Sequence, residues 1–164
     1  MSQRYRILSL GVWVGLVATL CAGPVYADLD IYTAVLSGDN EVPPVVTAAT
    51  GVATLTIDTE NGDLGAVPLQ VAFSGLSSGQ TGAHIHQAPA GLNGGVVVGL
   101  SLGSPLDTTV ALDASAYDAL VAEGLYLNIH TATFPAGEIR GQFVLSENVP
   151  TTGAAWGAVK ALFR

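Results

Sequence analysis

The chain is 164 residues long, 49% hydrophobic and only 11% charged, with 13 acidic residues against 5 basic ones. That length suits one domain with a self-sufficient core and leaves little room for a second. No basic residues cluster after Arg6, so the chain lacks the Lys and Arg grip that phosphate backbones require, and no nucleic-acid partner is expected.

Arg4 and Arg6 precede an apolar run from Ile7 to Gly23, and Pro24-Val25-Tyr26-Ala27 leads to the first acids, Asp28 and Asp30. Basic start, apolar middle and small residues at the end predict a signal peptide over residues 1–27, with Val25 and Ala27 before the cleavage point. For an uncleaved anchor the run is short and interrupted by Gly, Ser and Thr. A lipoprotein signal would want a small residue before Cys21, where Leu20 stands. The expected location is therefore exported, in a periplasm or outside the cell. Cleavage after Ala27 removes the only cysteine and leaves all 13 acids opposed by Arg140, Lys160 and Arg164. A mature chain without cysteine has no thiol nucleophile, no thiolate metal site and no disulfide scaffold.

Residues 28–145 read as one all-β domain of short strands separated by Gly, Pro, Asn and Asp clusters. The pattern predicts an antiparallel β-sandwich with Greek-key-like connections and one short connecting helix. Ile31 to Ser37 alternates. Asp39, Asn40 and Glu41 before Pro43-Pro44 predict a polar turn, with too few oxygen ligands for calcium. Val52 to Asp58 alternates again, and Glu60-Asn61-Gly62-Asp63 supplies a turn. Val67, Leu69, Val71 and Phe73 then share one face and leave Pro68, Gln70, Ala72 and Ser74 on the other, which predicts a sheet covered on one side only.

Further strands are expected at Ala83 to Gln87, Val96 to Leu100, Leu125 to Thr131 and Glu138 to Leu145, with Gly91 to Gly95 as a loop before the valine run. Ser115 and Asp118 have the spacing of a capping box; Tyr117, Leu120 and Val121 share a helical face, and Gly124 suits a left-handed ending. Residues 146–164 read as a linker from Ser146 to Gly153 and a brief helix or tail with Trp156, Val159 and Phe163 on one side. That tail either docks on the domain, frays, or makes a weak membrane or protein contact helped by Lys160 and Arg164.

The exported chain keeps all three histidines, His84, His86 and His130. A strand puts His84 and His86 on one face about 6.6 Å apart, with Ile85 turned into the sandwich. In the strand Leu125 to Thr131, Leu125, Leu127 and Ile129 point inward and Tyr126, Asn128 and His130 outward. Three outward imidazoles predict either a solvent-facing site for one copper or zinc ion, or edge residues that satisfy hydrogen bonds without metal. A simple hairpin places His130 opposite Glu138 or Arg140, so Glu138 is the candidate to orient its ring from behind the ligand. No Gly-x-Ser-x-Gly elbow, phosphate loop or His-Glu-x-x-His helix occurs, so no catalytic residues are assigned.

Five segments together resemble the CHRD domain, the module repeated in chordin and found as a single exported domain in bacteria. They are Leu36-Ser37-Gly38-Asp39-Asn40-Glu41-Val42-Pro43-Pro44-Val45, Gly51 to Leu55, Phe73 to Leu76, Ala83 to Gly91, and Leu125 to Thr131 leading through Phe134-Pro135-Ala136-Gly137-Glu138-Ile139-Arg140-Gly141-Gln142. The resemblance covers Ile31 to Leu145. Chordin antagonises bone morphogenetic proteins, but much of that binding is associated with cysteine-rich modules this chain lacks, so antagonism is not carried over.

Gly75 through His86 is also similar to the strand of copper/zinc superoxide dismutase whose His-x-His pair holds copper, which would make His84 and His86 such a pair. That site needs further histidines and a bridging aspartate, and here only His130 remains, so dismutase chemistry is the remote alternative. The expected function is a non-enzymatic exported module with a binding or structural role towards an unknown protein or envelope partner, which needs no cofactor. A single-metal protein using His84, His86 and His130 is the alternative. The binding-module reading predicts an exposed flat or grooved face with apolar or aromatic residues around Tyr126 or Trp156.

Overall fold

The computed structural model describes residues 28–59 and 63–150. The expected signal peptide, Glu60 to Gly62 of the predicted turn, and the tail with Trp156 lie outside the described residues. Among the described residues there are nine strands and one α-helix. No helix among them is long and apolar enough to cross a membrane.

Strand β1 (Asp28–Ser37) runs antiparallel to β2 (Thr50–Asp58), β2 to β3 (Val67–Ser74), and β3 to β6 (Leu106–Val110). A second group starts with β4 (Gln80–Gln87), which lies between β5 (Gly95–Gly99) and β7 (Leu125–Thr131); β7 then pairs with β8 (Ile139–Gln142). The chain leaves the first group after β3, builds β4 and β5, returns for β6 and crosses back through α1 (Ala114–Val121) to β7. The architecture is all-β with Greek-key-like connectivity, as the sequence predicted.

The two groups join where one extended segment changes partners. β8 pairs with β7, Phe143 is fully buried and donates its N–H to the Leu125 carbonyl at 2.9 Å, and β9 (Val144–Pro150) then pairs with β1. Strand therefore continues through Ser146 to Pro150, where the sequence suggested a linker. Period-two alternation fills the interior from both groups: Ala34, Leu36, Leu55, Leu69 and Val71 from one, Ile85, Leu127, Ile129 and Ile139 from the other, all in one buried cluster.

Two local expectations are corrected. The helix is capped by Asp113, whose carboxylate accepts from the Ala116 N–H at 2.8 Å, rather than by Ser115, which lies inside the first turn. It ends with Glu123 in the left-handed region at φ 54°, not with Gly124. Strand β6 was not anticipated, because Leu106-Asp107-Thr108-Thr109-Val110 offers only two apolar residues.

The larger difference concerns coverage. Every residue of β7 is buried, so this strand is covered on both faces, whereas the sequence implied one. The interior covers one face. On the other, three connections close down: residues 38–49 after β1, 88–94 between β4 and β5, and 132–138 between β7 and β8. Asn93 joins two of them by donating to the Val42 carbonyl at 2.8 Å.

Candidate metal centre

His84 and His86 stand on β4, and His130 on β7, the strand beside it. The pairing Gly82↔His130 and His84↔Asn128 fixes the register that puts the three rings on one face. Their centroids are 5.7 Å apart for His84 and His86, 4.9 Å for His84 and His130, and 5.9 Å for His86 and His130. One ligand nitrogen from each ring lies within 4.8 Å of the other two. The predicted trio is brought together, and Ile85 between the first two is fully buried in the core as expected.

The trio is not solvent-facing. His86 is 9% exposed and His130 8% exposed, because the connections over β7 lie on them; His84 alone is half-buried. Tyr126, expected on an exposed face, is 2% exposed. Its ring stacks on His86 at 4.9 Å and 8°, and the Arg140 guanidinium carbon stands 4.0 Å from its centroid.

The covering backbone sets the tautomers. His86 Nδ1 lies 3.0 Å from the Gly94 carbonyl and His130 Nδ1 lies 3.1 Å from the Pro135 carbonyl. A carbonyl oxygen only accepts, so each Nδ1 carries the proton and each Nε2 keeps a lone pair. Both Nε2 atoms are buried without a partner, and so is Nδ1 of His84. Burial holds the His86 imidazole below its ordinary pKa, helped by His84 and Arg140 and opposed by the Gly94 bond. Burial and the other two rings do the same to His130 against the Pro135 bond. Neutral imidazoles with free lone pairs are the form that ligates metal.

The same cover is locked through Tyr126 and Arg140. The Gly94 N–H donates to the Tyr126 hydroxyl at 3.0 Å, so one residue's two backbone groups hold both rings of the stack. Arg140, 2% exposed, donates to Asn93 Oδ1 at 3.0 Å and to the Leu92 carbonyl at 3.1 Å. The segment from Gly91 to Gly95, predicted only as a turn or loop before the valine run, is thus part of the roof of the site.

Glu138 does not orient His130. Its Oε1 accepts from the Thr47 hydroxyl at 2.7 Å and the Ser77 N–H at 2.8 Å, and its Oε2 from the hydroxyls of Thr131 at 2.7 Å and Ser77 at 2.9 Å. Glu138 precedes β8 and follows Gly137, which has φ +137°, so strand alternation does not govern its direction. The orienting role belongs to the carbonyls of Gly94 and Pro135.

Glu41, expected in a polar turn, is 6% exposed and reaches Asn128, whose Nδ2 lies 3.5 Å from Glu41 Oε2. Burial pushes its carboxyl up to about 7, against the pull of Arg140 and the Asn128 amide. The paired prolines after it suggested only a bend, and nothing in the spacing marks this acid as buried.

The CHRD domain family model matches residues 32–143, well over half of the chain and all of the histidine site. No curated protein matches, and no solved structure does.

Proposed function

The chain belongs to the CHRD domain family, and we propose that it is an exported, non-enzymatic binding module that holds one copper or zinc ion through His84 Nδ1, His86 Nε2 and His130 Nε2. The observation that carries this reading is the set of three buried, unpartnered ring nitrogens on converging side chains. Native interiors leave few polar atoms unsatisfied, and three on one site form the donor set that borderline ions take from neutral imidazole. Bond lengths of about 2.0–2.1 Å to each nitrogen need only a small inward movement of rings whose ligand atoms already lie within 4.8 Å.

The surroundings support binding over catalysis. The Tyr126 hydroxyl, the Arg140 guanidinium and two histidine Nδ1 atoms are all engaged in holding the roof and the rings. The basic, apolar and small-residue order of residues 1–27 supports delivery to a periplasm or to the outside of the cell. There the module would serve a protein or envelope partner.

Metal analysis of the untagged protein after exposure to zinc and to copper, beside His86→Ala, tests the site. The expected result is one ion per folded wild-type chain and loss of it in the variant, with both proteins giving the same far-ultraviolet circular dichroism. Negligible metal in folded wild type would refute the reading.

A further inference from the structure

Resting on that metal-binding reading, the charge and number of the donors carry a choice between the two ions. The donor set contains only neutral nitrogens: the metal-capable cluster is His84, His86 and His130, and among the described residues no carboxylate or thiolate joins it. Any ion therefore keeps its full charge in a site whose rings at positions 86 and 130 are almost covered.

A fixed positive charge stacked beside this cluster makes matters worse for a dication. Arg140 is stacked on Tyr126, and Tyr126 on His86. The guanidinium donates its hydrogen bonds to neutral partners, Asn93 Oδ1 and the Leu92 carbonyl, and Glu41, the acid that feels its charge, is itself held largely protonated by burial. Glu41, the acid in this layer, meets Asn128 and does not belong to the histidine cluster. The solvation energy an ion gives up on burial grows with the square of its charge, so a dication forfeits about four times what a monocation does in the same cavity.

Coordination number points the same way. Zinc in structural sites is almost always four-coordinate, so on this three-donor cluster it would have to draw in a water past half-buried His84 as its fourth ligand. A monovalent d10 ion is satisfied by three nitrogens in a near-planar arrangement. We propose that the site selects Cu(I) over Zn(II), taking the monovalent ion on three neutral imidazoles as a closed trigonal centre.

Half-buried His84 is the entry side, since His86 and His130 are the rings pinned by backbone carbonyls. Removing His84 also leaves no pinned partner behind, which makes His84→Ala the variant of choice for folding.

The test loads the untagged protein with zinc and titrates it anaerobically with Cu(I) kept reduced by ascorbate. Bicinchoninate reports free Cu(I), and a chromophoric indicator reports released zinc. Equimolar Cu(I) is expected to release the zinc from wild type and to remain withheld from bicinchoninate, while His84→Ala, folded by circular dichroism, surrenders Cu(I) to the probe. Zinc retained against excess Cu(I) would overturn the selection and leave the metal site standing. Folded wild type that binds neither ion would overturn both.

Discussion

Replacing Glu41 by Gln isolates one buried carboxyl whose ionisation opposes the fold. Glu41 is 6% exposed, its Oε1 has no partner, and burial pushes its carboxyl from 4.5 up to about 7. Between those two pH values the folded chain holds a proton that the unfolded chain has released, so stability falls as pH rises across that window. The contribution is complete below the ordinary value of 4.5 and is lost as pH rises through about 7. Taken over that interval at about 1.4 kcal/mol per pH unit, ionisation costs about 3 kcal/mol, which partial solvent screening reduces to about 2 kcal/mol.

Glutamine copies the protonated carboxyl in shape and hydrogen-bonding capacity and does not titrate. Urea unfolding of chelator-treated wild type and Glu41→Gln at about pH 4 and about pH 8 therefore reads the carboxyl alone, because every other titrating group is common to both proteins and cancels in the difference. Glu41→Gln is expected to gain about 2 kcal/mol on wild type between the two conditions. A difference that stays constant within about 0.5 kcal/mol, or moves in favour of wild type, would show that Glu41 is ionised in the fold and that the packing of residues 38–49 over β7 is wrong.

The opposite sign is expected at Glu138. Burial alone would raise its carboxyl, but hydrogen bonds from Thr47, Thr131 and Ser77 outweigh burial and hold it below the ordinary 4.5; its stabilisation is present above that value and is lost as pH falls through the folded one. Glu138→Ala should cost about 3 kcal/mol at neutral pH by stranding these donors, with the gap to wild type narrowing below about pH 4.5; urea unfolding would refute this with a loss under about 1 kcal/mol. At Gly82 a Cβ would stand 3.1 Å from His84 Cε1 and 3.4 Å from His130 Cδ2. Gly82→Ala should therefore weaken metal binding by about tenfold, as displaced ligand supports do. It leaves all three ligands in place, and unchanged affinity in the competition assay would place the ion elsewhere.

Much of this fold was legible because alternation is a local property. Val67, Leu69 and Val71, or Leu125, Leu127 and Ile129, declare a buried face without reference to anything distant. The same rule put His84 and His86 together and turned Ile85 away from them. It failed where a residue lies outside a ladder: Glu138, one position before β8, turned to the hydroxyls of Thr47, Ser77 and Thr131. It was also silent about β6, where Asp107, Thr108 and Thr109 dilute the apolar signal. What covers the histidines was not legible at all. Their orienting groups are the backbone carbonyls of Gly94 and Pro135, and a carbonyl is present at every position of the sequence. Long-range contacts such as those of Asn93 with Val42 and Arg140, and of Gly94 with Tyr126, bring that roof down.

The roof also bears on the proposed ion, because it limits what else the three rings can bond to. Had the rings faced solvent, each free nitrogen would find its own water, and the cluster would carry no information. Covered as they are, the two pinned rings cannot turn to seek other donors, since rotation would break the bonds to Gly94 and Pro135. Nε2 of His86 and Nε2 of His130 carry no proton, and Nδ1 of His84 has no partner, so the two pinned rings each need a donor or a Lewis acid. One water could donate to both Nε2 atoms, but only a Lewis acid draws a lone pair from all three rings at once. One metal ion satisfies all three at once, and because the unfolded chain has no such arrangement, its binding free energy adds to the stability of the fold. The cover that leaves these nitrogens without partners is therefore the same feature that would hold the proposed ion tightly.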